Sequence, residues 1–309
     1  MPTETRRRTT GRRAAPRRRS AFRDLLTASR PLSWVNTAFP FAAAYLLTTR
    51  DVDLALVVGT IFFLVPYNLA MYGVNDVFDY ASDAANPRKG GVEGALLVPA
   101  RHRLTIIAAI VACLPFVVVL VALGDPASWV VLAVSLFAVA AYSVPGLRFK
   151  EIPFLDSLTS SVHFVSPAVY GLVLAGAVFT PQLVALLLAF LAWGVASHAF
   201  GAVQDIVPDR EGGIASIATV LGAKRTVRFA IVAWAVAGVL MLATAWPGPL
   251  AALLVVPYIA TAAPFAYLSD VDSGRANAGW KRFLGINYVV GFLVTLLLIW
   301  YSLLTAGAA

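Results

Sequence analysis

The chain has 309 residues; 60% of them are hydrophobic, only 13% are charged, and the formal net charge is +8. Soluble domains carry about 25% charged residues, so this composition excludes a water-soluble globular fold and predicts a protein that crosses the membrane several times. The hydrophobic runs are apolar on every side, whereas strands of a membrane barrel alternate between apolar and polar residues. The sequence therefore predicts an all-α membrane protein.

An arginine-rich segment, residues 1–30, opens the chain and contains ten of its arginines. The segment lacks the apolar core of a signal peptide, and we expect a disordered cytoplasmic arm that faces anionic lipid headgroups. Because the excess positive charge lies here, we do not expect nucleic acid as a partner. Residues 31–309 form the remaining unit, a transmembrane domain.

Apolar runs of about 20 residues then follow one another, and each is long enough for a membrane-spanning helix. The prediction is nine spans, with boundaries near 32–49, 54–74, 104–123, 128–144, 157–178, 182–204, 226–245, 249–268 and 284–305. With the N-terminus inside, 23 of the 24 lysines and arginines fall in the arm or in cytoplasmic loops, as the positive-inside rule requires. We expect a multi-pass protein of a bacterial cell membrane with a cytoplasmic N-terminus.

Two acidic clusters lie where apolar runs end, after the second and the sixth span. In the first cluster, Asp76, Asp79 and Asp83 are three and four residues apart and would share one face of a helix. The second cluster consists of Asp205 and Asp209. Carboxylates are ligands that Mg²⁺ prefers, together with substrate phosphates. A single cluster would indicate a solvated loop, but two matching clusters at one membrane face predict a magnesium site for a diphosphate.

Basic residues in neighbouring loops can neutralise the phosphate charge; the candidates are Arg88, Lys89, Arg148 and Lys150. Metal ions and cations stabilise the charge that develops as a diphosphate leaves, and an aromatic face such as that of Tyr142 can stabilise an allylic cation. Polar side chains at membrane depth usually face the interior of a bundle. Candidates for the lining of an acceptor cavity are therefore Asn36, Asn68 and His198.

Three motifs resemble signatures of the UbiA-type intramembrane prenyltransferases. They are Asn75-Asp76-x-x-Asp79-x-x-x-Asp83, Asp205-x-x-x-Asp209 and Tyr142-Ser143-x-Pro145-x-Leu147-Arg148-x-Lys150. The resemblance covers about residues 25–306. Within the family, similarity to bacterial lycopene elongases is carried by the segments RPLSWVNTAFPFAAAYLL, VPYNLAMYGVNDVFDYASDAANPRKGGVEGALL and LTSSVHFVSPA.

The resemblance implies a nine-helix bundle with a central cavity that opens to the cytoplasmic face. It also implies Mg²⁺-dependent transfer of a dimethylallyl group from dimethylallyl diphosphate to lycopene, with release of diphosphate. Transfer at one end and then the other would give C45 and C50 carotenoids of the flavuxanthin type. Membrane lipids would surround the acceptor, and other enzymes of the carotenoid pathway are expected partners.

By the family pattern, the five aspartates of the two clusters bind metal and are catalytic, and Lys150 is a further catalytic residue. Diphosphate would be bound by Asn75, Arg88, Lys89, Arg148, Tyr142 and Gln204. The chain departs from some relatives after the second motif, where Arg210, Glu211 and Gly212 replace additional acids. The resemblance therefore leaves the metal ligands at that position open.

Two alternative functions stay open on the sequence. A UbiA-type transferase could act on a quinone precursor or another lipid, although the spans contain no buried lysine or arginine to hold an acidic acceptor. An ion-coupled transporter could also use carboxylates. Transporters place their ionisable sites near the membrane midplane, whereas these carboxylates lie at helix ends, which favours the enzyme.

Overall fold

The computed structural model describes residues 20–85 and 96–306, and those residues are predominantly helical. The helices are α1 (Ala21–Ala28), α2 (Val35–Thr49), α3 (Leu54–Phe78), α4 (Tyr80–Ala85), α5 (Pro99–Leu123), α6 (Pro126–Ser143), α7 (Leu155–Leu174), α8 (Pro181–Glu211), α9 (Ile217–Leu221), α10 (Ala223–Met241), α11 (Gly248–Phe265) and α12 (Ser273–Ala306). This confirms the predicted all-α fold.

Each of the nine predicted spans coincides with one helix, but the number nine is not confirmed by length and composition. Among the described residues, seven helices are long and apolar enough to cross a membrane: α3, α5, α6, α7, α8, α11 and α12. Of the other two, α2 has only 15 residues and α10 has 19, with three basic residues near its start.

The helix boundaries follow local chemistry. Pro126 and Pro181 occupy the first turns of α6 and α8, where a missing N–H leaves no hydrogen bond unmade. The preceding Asp125 and Thr180 are N-caps, and the Asp125 carboxylate accepts the backbone N–H of Ser128 at 2.8 Å. Such caps satisfy amides that the helix itself cannot.

The predicted arm is described only in part. We expected residues 1–30 to be disordered; residues 1–19 lie outside the described part of the chain, and for them this stays a prediction. From Ser20, which caps it, the chain instead forms α1. This helix packs against α3 and α5 through a small cluster that includes Ala28, Leu69 and Ala109.

Two large clusters of buried side chains divide the bundle into halves. One cluster joins α2, α3, α5 and α6 to one side of α7, with Phe41, Phe63 and Tyr170 among its rings. The other joins α8, α10, α11 and α12 around Trp234 and Tyr258. Helix α7 lies between the halves and packs against α2, α6 and α8. Each acidic cluster therefore belongs to a different half.

Small residues allow α7 to approach its neighbours closely. A Cβ at Gly171 would lie 2.8 Å from the backbone carbonyl oxygen of Phe41 on α2, and a Cβ at Gly194 on α8 would collide with Ser161 of α7. Inside a membrane, helices associate through such close packing rather than through the hydrophobic effect. The separation of the two halves is thus fixed by glycines on α7 and α8.

Candidate active site

The first acidic cluster is divided between two helices. The chain leaves α3 after Phe78, and Asp79 has φ −95° and ψ 0°, so that α4 begins as a new helix at Tyr80. Our expectation of a single helical face for the three carboxylates was therefore wrong. Helix α3 already departs from regular α-helical geometry before this break, because residues Leu69–Gly73 form a π-helical turn. Turns of this kind are frequent at functional sites.

Asp76 is fully buried and paired with an arginine that the sequence reasoning missed. The Arg30 Nη2 lies 2.9 Å from Asp76 Oδ1, and the Arg30 guanidinium also lies 4.3 Å from the centroid of the Tyr72 ring. Arg30 adopts the left-handed conformation, with φ 50°, just before the first predicted span. That position, at the same membrane face as the acidic cluster, was the signal in the sequence.

Asp79 is neutralised by two residues of the loop after α6. It forms ion pairs with Lys150 and with Arg148, whose Nη2 lies 3.7 Å from Asp79 Oδ1. Burial lowers the pKa of Lys150 to about 8, and the carboxylates of Glu151, Asp76 and Asp209 act in the opposite direction. Lys150 is therefore within electrostatic range of both acidic clusters.

The second cluster is also within electrostatic range of this lysine. Helix α8 tightens to a 3₁₀ turn over Val203–Asp205 and then continues through Asp209. The Asp209 carboxylate acts electrostatically on Tyr142 as well as on Lys150. The ends of α3, α6 and α8 thus bring the two acidic motifs and the Tyr142–Lys150 motif to one end of the bundle, as the resemblance implied.

Gln204 is held by neighbours within the protein. Its Nε2 donates to the backbone carbonyl of Gly201 at 3.0 Å, and its Oε1 accepts from Asn277 Nδ2 at 2.5 Å. The Oε1 end of the amide therefore ties α8 to α12, and the Nε2 end stays within α8. Its role in diphosphate binding stays a prediction.

The departure after the second motif has a structural explanation. Arg210 turns away from the cluster: its Nη1 lies 2.7 Å from Asp270 Oδ2, and it also donates to the Thr219 carbonyl. Asp270 in turn accepts the backbone N–H of Ala223 at 2.7 Å, and this hydrogen bond is the main reason that the pKa of Asp270 is lowered. Arg210 therefore anchors the segment before α10, and we assign it a structural role.

A hydrogen-bonded row of polar side chains lies next to the acidic clusters. Ser143 Oγ donates to Asn75 Oδ1 at 3.0 Å. The adjacent Tyr142 hydroxyl lies 3.1 Å from His198 Nε2, and Ser157 Oγ lies 3.0 Å from His198 Nδ1. Sequence reasoning named Asn75, Tyr142 and His198, and it included Ser143 only as a motif position. It missed Ser157, because a serine within an apolar helix gives no periodic signal.

The cavity candidates separate in the structure. Asn36 is exposed on α2, next to the buried Thr37, and its place in the cavity lining stays a prediction. Asn68 is fully buried and ties α3 to α2 by donating to Thr37 Oγ1 at 2.7 Å and to the Phe63 carbonyl at 2.8 Å. His198 keeps accessible surface although it lies deep in the bundle, as a cavity-lining side chain does.

The remaining candidates are partly described. Asp83 is buried in α4, and its backbone N–H donates to the Asp79 carbonyl at 2.8 Å. Arg88 and Lys89 lie outside the described residues. Among the residues that the structure does describe, no three acidic, histidine or cysteine side chains converge as a ready metal cage. Of the first cluster, Asp76 pairs with Arg30, and Asp79 pairs with Arg148 and Lys150.

Comparison with known proteins agrees with this arrangement. The model of the UbiA prenyltransferase family matches residues 37–290. The chain belongs to this family. The "C(50) beta-cyclic carotenoids biosynthesis protein" of Dietzia sp. is 57% identical over 89% of this chain, which spans 64% of that protein. The "lycopene elongase/hydratase" of Corynebacterium glutamicum is 47% identical over 90% of this chain and 97% of the relative.

The fold is also similar to that of a solved UbiA structure. A UbiA homologue from Archaeoglobus fulgidus, solved with dimethylallyl diphosphate and Mg²⁺, superposes with a TM-score of 0.61 at 17% identity, covering 86% of this chain and 98% of that one. The UbiA fold of this chain is thereby confirmed. The protein is a multi-pass membrane prenyltransferase.

Proposed function

We propose that this prenyltransferase transfers a dimethylallyl group from dimethylallyl diphosphate to lycopene, in a Mg²⁺-dependent reaction that yields C45 and C50 carotenoids. The identity to the Corynebacterium relative, over nearly the full length of both chains, supports the acceptor. The ligands of the Archaeoglobus structure support the donor and the metal. The enzyme acts in a bacterial cell membrane, with the acidic end of the bundle and the N-terminus in the cytoplasm, where the positive charge of the sequence lies.

One observation carries the proposal: Lys150 is within electrostatic range of both acidic clusters. It pairs with Asp79 and acts electrostatically on both Asp76 and Asp209. A cation placed between two sets of carboxylates occupies the position that a diphosphate with its metal ions would take. Such a site selects a substrate with high negative charge at one end, and the surrounding bundle accommodates an apolar remainder.

The donor set fits magnesium. The carboxylates of the two clusters are hard oxygen ligands of the kind that Mg²⁺ takes together with phosphate oxygens and water. Asp76, Asp79 and Asp83 would hold the ion on one side of the diphosphate, and Asp205 and Asp209 on the other. When bound, Mg²⁺ supplies positive charge that stabilises the leaving diphosphate.

The basic residues then exchange partners. In the described structure they neutralise aspartates, and when metal takes over that task, Lys150 and Arg148 are placed to donate to phosphate oxygens. The C1–O bond of the donor breaks, and diphosphate leaves with the electron pair. The terminal double bond of lycopene supplies the electrons of the new C–C bond, which leaves a cation on the acceptor.

The acceptor side is suited to a polyene. Within the described spans no lysine or arginine is fully buried, so an acidic quinone precursor would lack a deep cationic partner. An apolar groove of about 440 Å³ runs between α3, α5 and α6 and reaches Val74, Phe78 and Val144, one residue from Asn75, Asp79 and Ser143. An apolar chain could approach the polar row along such a surface.

Expression in a lycopene-producing host tests the proposal. Mass analysis of the extracted carotenoids should find C45 and C50 products with the chain and only lycopene with its Asp79→Ala variant. Membranes supplied with lycopene, dimethylallyl diphosphate and Mg²⁺ should release diphosphate in step with product. Wild-type membranes that form no C45 or C50 product, while the protein is inserted, would overturn the assignment of lycopene as the acceptor.

A further inference from the structure

A partly buried histidine, His198, links α8 to two neighbouring helices through hydrogen bonds at both ring nitrogens. On one side His198 of α8 meets the hydroxyl of Tyr142, the residue at the end of α6, at 3.1 Å from Nε2. On the other side it meets Ser157 of α7 at 3.0 Å from Nδ1. Because a neutral imidazole donates through one nitrogen and accepts through the other, the row can pass a proton from Tyr142 to His198.

The row is oriented toward the reacting centre. The Tyr142 hydroxyl is within electrostatic range of Asp209, in the second acidic cluster, and of Arg30, which pairs with Asp76 of the first. Ser157, in contrast, is fully buried. The outer end of the row is thus a hydroxyl beside the diphosphate site, and the inner end is sealed in protein. A proton that enters at Tyr142 would be stored on His198.

A buried carboxylate lies next to this row. Asp156 is fully buried and accepts the backbone N–H groups of Ser157 at 2.7 Å and Ile217 at 2.8 Å. Asp156 is also within electrostatic range of His198. Asp156 does not touch the ring, and we assign it as a positioning residue that fixes Ser157 and supplies countercharge.

We propose that the Tyr142–His198 pair accepts the proton released when water ends the acceptor cation. This inference rests on the proposed transfer to lycopene. Attack by the terminal double bond leaves a tertiary cation, and the oxygen of a water molecule forms a C–O bond to it. The water proton passes to the Tyr142 oxygen as the tyrosine proton passes to His198 Nε2. The product gains a hydroxyl, and the imidazolium returns its proton to the departing diphosphate.

A second histidine provides a matched control. His163 of α7 packs edge-on against the same tyrosine, with ring centroids 5.2 Å apart. It is buried, and its Nε2 has no hydrogen-bond partner among the described residues. His163 therefore shares the surroundings of His198 without the bond to the Tyr142 hydroxyl.

The test compares the products of His198→Gln and His163→Gln with those of the wild type. Glutamine keeps a hydrogen bond to Tyr142 but accepts no proton. Since general-base catalysis contributes about 10²–10⁴-fold, His198→Gln should lower formation of the hydroxylated C45 product about 100-fold relative to the product of simple proton loss. Tyr142→Phe should shift the ratio the same way, and His163→Gln should leave it at the wild-type value.

The outcomes distinguish a failure of the proton-transfer role from a failure of the proposed function. A His198→Gln variant with an unchanged ratio of hydroxylated to unhydroxylated product, whether fast or slow, would overturn the proton-transfer role and indicate a purely structural histidine. A wild type that adds C5 units without water would overturn the inference and leave the proposed function intact. A wild type that forms no product from lycopene would overturn the proposed function itself.

Discussion

Replacement of Arg30 by methionine should destabilise the metal-free protein. The variant keeps an unbranched apolar stem and removes the guanidinium that lies 2.9 Å from Asp76 Oδ1. The side chain of Asp76 is 0% exposed and that of Arg30 is 22% exposed. Removal of one member of a buried ion pair costs about 3–5 kcal/mol, and the partial exposure of Arg30 places the expected loss near the lower limit, about 3 kcal/mol.

Thermal unfolding in detergent, without divalent metal, measures this loss. For chains of 150–250 residues, 1 kcal/mol shifts the midpoint by about 2–4 °C, so Arg30→Met should unfold about 6–12 °C below the wild type. Mg²⁺ with inorganic diphosphate should narrow the difference, because metal supplies positive charge next to Asp76. The control is Arg50→Met, which removes an exposed guanidinium bonded to Ser302 and Thr305 and should change stability by less than about 1 kcal/mol.

Two results would refute the reasoning. If Arg30→Met unfolds at the wild-type temperature in the absence of metal, the ion pair contributes nothing and Asp76 is neutralised by other means. If the variant is destabilised but Mg²⁺ and diphosphate leave the difference unchanged, then metal does not take the place of Arg30, and Asp76 is not a metal ligand.

Four further expectations follow from the site. Asp79→Ala and Asp205→Ala should each abolish turnover in membranes while the protein still inserts, and wild-type activity in either would contradict the metal–diphosphate site. The ammonium of Lys150 loses its proton above about pH 8. The kcat/KM for the donor reports the free enzyme and should therefore fall as the pH rises above about 8. The Lys150→Arg variant should stay active to higher pH. Asp270→Asn should cost about 1 kcal/mol of stability in a thermal melt and spare turnover; a dead but folded variant would make Asp270 part of the site. Deletion of residues 1–19, which leaves the cap of α1 intact, should preserve activity in the same membrane assay, and an inactive folded deletion would give the arm a catalytic role.

The helical fold was predictable because length and hydropathy constrain a membrane chain strongly. A run of about 20 apolar residues has few alternatives to a spanning helix, and each predicted span coincides with a helix. The start of the helical part of the chain was less predictable. Residues from Ser20 continue into α1 because capping and packing on α3 stabilise a segment whose composition alone resembles the arginine-rich arm.

The candidate site was predictable where a residue type is costly in its surroundings. Carboxylates at the ends of apolar runs need cations, and the structure supplies Lys150 and Arg148 to Asp79. The pairing of Arg30 with Asp76 could not be read from the sequence, since 46 residues separate them and any basic residue at that face was a candidate. Asn36 shows the opposite limit: its side chain is exposed in the first turn of α2, and polarity alone does not determine whether such a residue faces the cavity or the membrane surface.

The close contact between α7 and α8 affects the size of the anion that the site accepts. Gly194, where a Cβ would collide with Ser161, lies eleven residues before Asp205 and touches no candidate ligand. Any larger side chain there must push α8 outward, and with it the carboxylates that face Asp76 and Asp79. The span between the two acidic clusters, and hence the size of the anion that fits between them, is therefore encoded in the bundle interior. An altered chain could fold and insert yet hold its two halves too far apart for a diphosphate.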